Sequence, residues 1–265
     1  MDWTDWGHVL SQVNRSDAPG LVDYRRLAEQ PGPLDRLMAR LAACGPRCAP
    51  ASFPRPADRL AYAVNTYNAT ILRSVREAVR DGTVPAYAPF DLETRYAFHI
   101  DGRIVRPADL RREALLLAGG DWRVRLALCS GRLIGPPLPR RVLLGELIHG
   151  QLDEITRGAF ASPNVIAIDH LEARRLLAWR GLYDLKDTLV SDFERRTGSA
   201  GASLLNVLLE WSDRPRREFL NTAVGYTLGV LPDDGRLNAF QPAAPEDRPG
   251  VFTRLRSMSL IRPGG

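Results

Sequence analysis

Lysine is all but missing: Lys186 is the single one in 265 residues, so nearly all positive charge is guanidinium. That is the usage expected of a GC-rich coding sequence, and by itself it names no function. A glycine-rich phosphate loop of the kind that needs a lysine beside it is therefore excluded. Cysteine is scarce and odd in number, with Cys44, Cys48 and Cys129 only, which argues against a disulfide framework. Cys44-Gly-Pro-Arg-Cys48 has no second ligand pair at metal-site spacing, and His8, His99, His149 and His170 stand apart; no metal and no cofactor are expected. Long apolar runs are absent as well. LLNVLLEW (204–211) is cut by Glu210, well short of the ~20 residues a membrane span needs. The start, MDWTDWGHVL, carries acids where a secretory leader carries positive charge, so a cytoplasmic location is expected. The excess of 36 basic over 31 acidic residues is spread along the chain, and aromatic residues are not interleaved with the arginine pairs at 174–175, 195–196 and 216–217. These pairs read as solvated helix faces, and nucleic acid is not an expected partner.

What is present is enough apolar residue, 45% of the chain, to build a sizeable core. Residues 2–44 read as short helices forming a cap, from Trp3, Trp6, Leu10 and Val13 and then Leu27, Leu34, Leu37 and Leu41. After a Pro-rich connector (44–56), Leu60, Val64, Tyr67, Ile71, Val75 and Val79 recur at spacings of 4, 3, 4, 4 and 4, which predicts a helix over 58–81. Gly82, Pro85, Pro89 and Asp91 mark a loop after it. In YAFHIDGRIV, two short apolar arms flank Asp101-Gly102, which predicts a tight hairpin at 96–105. Pro107 suits the first turn of a helix running through Leu117 to Gly119-Gly120. RVRLALC (123–129) alternates and reads as a strand. Helices are expected at 139–158, 171–196, 202–211 and 214–222, with short strands at 165–168 and 226–231. The order is mixed rather than alternating, so the expected class is α+β: a mostly helical single domain over 2–240 with a small sheet, followed by a Pro-rich segment and basic tail at 241–265.

Two constellations carry the chemistry. Asn65 and Asn68 sit three apart on one helix whose neighbouring stripe is apolar. Burying amides without partners is costly, so they either tie loops to the helix or line a pocket. The second constellation is the end of the 123–129 strand, where Cys129 and Ser130 meet the Gly/Pro turn SGRLIGPP.

At this point the chain resembles the domain of unknown function 547 family. AYAVNTYNA looks like that family's Trp-Ile-Asn-Ala-Tyr-Asn-Ala helix, and RLALCSGRLIGPPL has the frame of its His-Phe-Ala-Leu-x-Cys-Gly-x-x-Ser-Cys-Pro-x-Leu. VLPDDGRLN resembles the ending Leu-Pro-Tyr-Asp-Trp-Ser-Leu-Asn, and IDGRIVRPADLRREALL resembles the block containing Ile-Glu-His. GLVDYRRL resembles its Gly-x-Val-Asp-Tyr entry. The order holds from about residue 6 to 240. Asn65, Tyr67 and Asn68 match the helix; Asp234, Leu237 and Asn238 match the ending.

The departures matter for chemistry. Arg111-Arg112 stands where the family has Glu-His, Arg125 stands at the strand's His, and the two family cysteines fall on Ser130 and Gly135. Cys129 lies one residue from the first of them. A Cys with His and Glu in reach makes an activated thiolate, whereas arginine cannot accept a proton near neutral pH. The resemblance thus implies a catalytically degenerate, bacterial-type member, a binding or regulatory protein whose partner is a small anionic ligand or another protein. Arg111, Arg112 and Arg125, with Asn65 and Asn68, are the candidate ligand-binding residues; an anion would offset the repulsion of clustered arginines. The alternative is a thiol or serine hydrolase or acyl transferase that uses Cys129 or Ser130 with His99 or His149 as a substitute base.

Overall fold

The computed structural model describes residues 1–79, 84–88, 91–233 and 235–241. Gly82, Pro89, Asp234 and the tail beyond Gln241 lie outside the described residues. The class is α+β, with 51% of the chain helical and two small sheets. Contacts divide the span expected as one domain into two compact units, Met1–Ile155 with Asp234–Gln241, and Thr156–Asp233. No helix among the described residues is long and apolar enough to cross a membrane.

The first unit is organised by its longest helix. α1 (Thr4–Val13), α2 (Tyr24–Glu29) and α3 (Gly32–Ala43) precede α4 (Pro56–Ala78), and all share one core with Trp6, Leu10, Leu27, Leu37, Val64 and Ile71 fully buried. Each such side chain contributes roughly 1.5–3 kcal/mol through removal from water. The first three helices are therefore part of the core. α4 starts at Pro56, whose missing N–H costs nothing there, and Asp58 Oδ2 accepts the N–H of Arg55 at 3.2 Å. After α5 (Leu92–Arg95), β1 (Phe98–Ile100) and β2 (Arg103–Val105) form the predicted hairpin. Asp101 and Gly102 have φ of 51° and 69°, as a two-residue turn of this kind demands. α6 (Pro107–Leu117) follows as expected and packs on α4 through Leu110 and Ala114.

Three expectations are corrected. Residues 123–129 are not a strand: Trp122–Ala127 form a 3₁₀ helix, opened by Asp121 accepting the N–H of Arg123 at 3.0 Å. The alternation that imitated a strand buries Val124 and Leu126 in a tighter helix, and among the described residues no strand pairs with them. The helix expected at 139–158 begins only with α7 (Ile148–Ala161). Upstream, Asn65 binds both backbone groups of Leu143, while Gln151 accepts from Leu144 N and donates to Val142 O. Backbone committed to side chains in this way cannot close helical turns. The helix expected at 171–196 is instead β4 (Arg175–Ala178), α8 (Arg180–Tyr183) and α9 (Lys186–Thr197). A short apolar run such as RLLAW reads equally as buried helix or buried strand.

In the second unit, β3 (Ile166–Asp169) pairs antiparallel with β4, and β5 (Thr227–Val230) pairs parallel with β4. A parallel pair needs a long crossover, supplied by α8, α9, α10 (Leu204–Glu210) and α11 (Arg214–Asn221). Arg196 grips Glu210 with two hydrogen bonds of 2.7 and 2.8 Å, tying α9 to α10. The side chain of Arg216 reaches back from α11 to the carbonyls of Phe160 and Ile166, both at 3.1 Å, and so covers the start of β3.

Candidate functional site

α4 presents three of the sequence-predicted residues in different directions. Asn65 is wholly buried; its Oδ1 accepts from Trp6 Nε1 at 3.2 Å and from Leu143 N at 3.1 Å, and its Nδ2 donates to Leu143 O at 2.8 Å. Asn68 is equally buried. Its Nδ2 donates to Ala127 O at 2.9 Å and its Oδ1 accepts from Cys129 N at 3.0 Å. Both amides thus clamp backbone of other segments, as the first of the two readings expects. Tyr67 turns to the side, and its hydroxyl donates to Glu93 Oε1 on α5. Burial, and then the Glu93 carboxylate, holds the Tyr67 hydroxyl well above its ordinary range.

Cys129 is 1% exposed. Asn238 Nδ2 donates to its Sγ at 3.4 Å, and Tyr24 Oη donates to Asn238 Oδ1 at 2.7 Å. The segment carrying Asn238 is itself threaded through the unit: Asn238 N donates to Gly131 O, Val22 N to Asn238 O, and Leu237 N to Ala86 O. Burial pushes the Cys129 thiol up to about 11, against smaller opposing effects of the Gly131 and Asn238 N–H groups. Its polar neighbours are the amides of Asn68 and Asn238 and the phenols of Tyr24 and Tyr67, none of which takes a proton at neutral pH. Ser130 is partly exposed. His99, on β1, and His149, on α7, are exposed, and no hydrogen bond joins either to Ser130 or Cys129.

The three arginines have separate surroundings. Arg111 Nη1 lies 3.3 Å from Glu93 Oε2, so Glu93 bridges Tyr67 and Arg111. Arg112, 71% exposed, pairs with Asp109 one turn back at 3.2 Å. Arg125, half-buried on the 3₁₀ helix, has no carboxylate within ion-pair distance among the described residues. Carboxylates of the chain itself, Glu93 and Asp109, face Arg111 and Arg112. Glu93 was missed by sequence reasoning because it lies in a four-residue helix outside every recognised block; Trp6 was read only as an apolar position of the first helix, and its indole N–H to Asn65 was not anticipated. Among the described residues, no group of three or more His, Cys, Asp or Glu side chains could hold a metal ion.

Comparison with family models, with curated proteins and with solved structures finds no match. The resemblance to the domain of unknown function 547 family accordingly rests on the sequence blocks quoted above.

Proposed function

We propose that this chain is a catalytically silent binding or regulatory protein built on the plan of the domain of unknown function 547 family. The observation that carries this reading is the setting of Cys129: a buried thiol with its pKa raised to about 11, hydrogen-bonded by an amide where a thiol enzyme needs a base. At pH 7 such a thiol is almost wholly protonated, and it is shielded from solvent. Ser130 fares no better as a nucleophile, because the matching family base is Arg125. Arg125 has a different use in this reading. As a half-buried guanidinium without an acid of its own, it is the side chain suited to hold a small anion.

One experiment covers both parts. In a thermal-shift series with sulfate, phosphate and dicarboxylates, an anion at ~100 times its dissociation constant raises stability by about 2.7 kcal/mol, and Arg125→Gln removes the shift. Over the same samples, a panel of ester and amide substrates is expected to show no turnover that Cys129→Ser or Ser130→Ala abolishes. Turnover lost in either variant overturns the silent reading, and anion shifts unchanged in Arg125→Gln overturn the anion site.

A further inference from the structure

In the sheet of the second unit β3 lies at one edge and β5, which α8 touches, at the other. On the β3 side all four residues are buried and Arg216 donates to Ile166 O. On the β5 side, Thr227 N donates to Arg174 O at 3.3 Å and Leu231 N to Ala178 O at 2.8 Å, which sets the phase of the parallel ladder. Thr227, Gly229 and Leu231 turn their backbone groups toward β4, so Leu228 and Val230 turn theirs away. No hydrogen bond satisfies those outward groups among the described residues, and Leu228 and Val230 are only partly buried. Such an edge is a template for a further strand.

Its charge selects the strand. Arg175, the first residue of β4, is exposed and has no carboxylate within ion-pair distance among the described residues; Arg174 precedes the strand with φ 47°. Asp169 stands opposite Arg175 in register and its charge acts on Arg175, while its two oxygens also accept the N–H groups of Leu171, Glu172 and Ala173 at 3.0 to 3.3 Å. Arg174 is held with its Cζ 5.1 Å from the centre of the Tyr226 ring, and that ring is fixed by a 3.1 Å hydrogen bond from its hydroxyl oxygen to His170 Nδ1. Arg175 leans toward the open edge. A methyl group added at Gly229 would come within 3.3 Å of Arg175 Cδ and 2.9 Å of Leu177 Cδ2, so the absence of a side chain at 229 is what lets the Arg175 stem lie across β5. Across the sheet, Arg175, Thr227 and Gly229 share one face, while Leu228 and Val230 lie on the face of buried Leu176 and Ala178.

We propose that the open edge of β5 takes up an extended acidic peptide segment as an added strand, its backbone pairing with Leu228 and Val230 and its carboxylates meeting Arg175 on the face of Thr227 and Gly229. The favoured segment alternates apolar and acidic residues, apolar beside Leu228 and Val230 and acidic on the arginine face. This site is independent of Cys129 and of the anion reading at Arg125.

The test uses the full chain and a capped peptide of alternating Val and Glu, with amide hydrogen exchange as the readout. The expected result is slowed exchange at Leu228 and Val230, with Gly229 and Leu231 unchanged because their N–H groups are already paired. The variant Arg175→Gln is expected to weaken binding about tenfold or more. A Val/Lys peptide on the unaltered chain supplies a second measurement that needs no variant, and it is expected not to bind. Equal protection by the Val/Lys peptide, protection by a single-stranded oligonucleotide in place of the peptide, or concentration-dependent protection with no peptide added, which would mean a second copy of the chain, each overturns the proposal.

Discussion

Asn68 and Cys129 are joined by a 3.0 Å hydrogen bond from the backbone N–H of Cys129 to Asn68 Oδ1, while the same amide donates to Ala127 O two residues earlier. One side chain on α4 thus holds both sides of Leu128 and dictates where the 3₁₀ helix stops. It takes the place of the strand partner that residues 123–129 lack, and it keeps Cys129 inside the core.

Asn68→Ala is expected to destabilise the protein by about 1–3 kcal/mol, because it orphans a buried N–H and a buried C=O. Urea unfolding measures this directly. Arg112→Ala, at an exposed helix position, is the control and is expected to stay within about ±0.5 kcal/mol. Equal effects would show that the clamp contributes nothing beyond a surface residue.

The Cys129 thiol makes stability fall at alkaline pH. Its pKa is raised from 9.0 to about 11 in the folded chain, so the folded state holds the proton more tightly than the unfolded one. That contribution is complete below pH 9 and is lost as pH rises through about 11. Its size is about 2–3 kcal/mol at most. Unfolding curves between pH 8 and 11 for the native chain and for Cys129→Ala are expected to differ in slope, with the variant flatter.

Gly45 has no room for a side chain. A methyl group there would lie 2.5 Å from Asp101 Cγ and 2.6 Å from Tyr62 Oη. Asp101 cannot easily retreat, since its two carboxylate oxygens accept the N–H groups of Arg47 and Cys48 at 2.8 Å each. Gly45→Ala is therefore expected to cost about 1–3 kcal/mol, read as a lowered urea midpoint with unchanged slope.

Tyr67→Phe removes a hydroxyl that donates to a carboxylate, and is expected to cost about 1.5–3 kcal/mol. Glu93→Gln keeps an acceptor for Tyr67 but loses the charge facing Arg111, so the double change Tyr67→Phe, Glu93→Gln is expected to cost less than the sum of the two. Strict additivity in a double-mutant cycle would contradict the bridging role of Glu93.

Local patterns in the chain were sufficient for the features whose cause is local. The apolar spacing of 60–79 determined α4, Asp101-Gly102 determined the hairpin turn, Pro107 determined the start of α6, and the mixture of patterns determined an α+β class. That Asn65 and Asn68 are bonded was also legible, because buried amides demand partners. The identity of those partners was decided by tertiary structure. Leu143, Ala127 and Cys129 are 59 to 78 residues away in the chain from the asparagines that bind them, and those bonds stop residues 139–147 and 128–129 from forming the helix and strand their own patterns favour. Residues 175–178 became a strand for the same reason: β3 and β5 lie on either side of them, and a run of apolar residues buried on both faces carries no period to announce that choice.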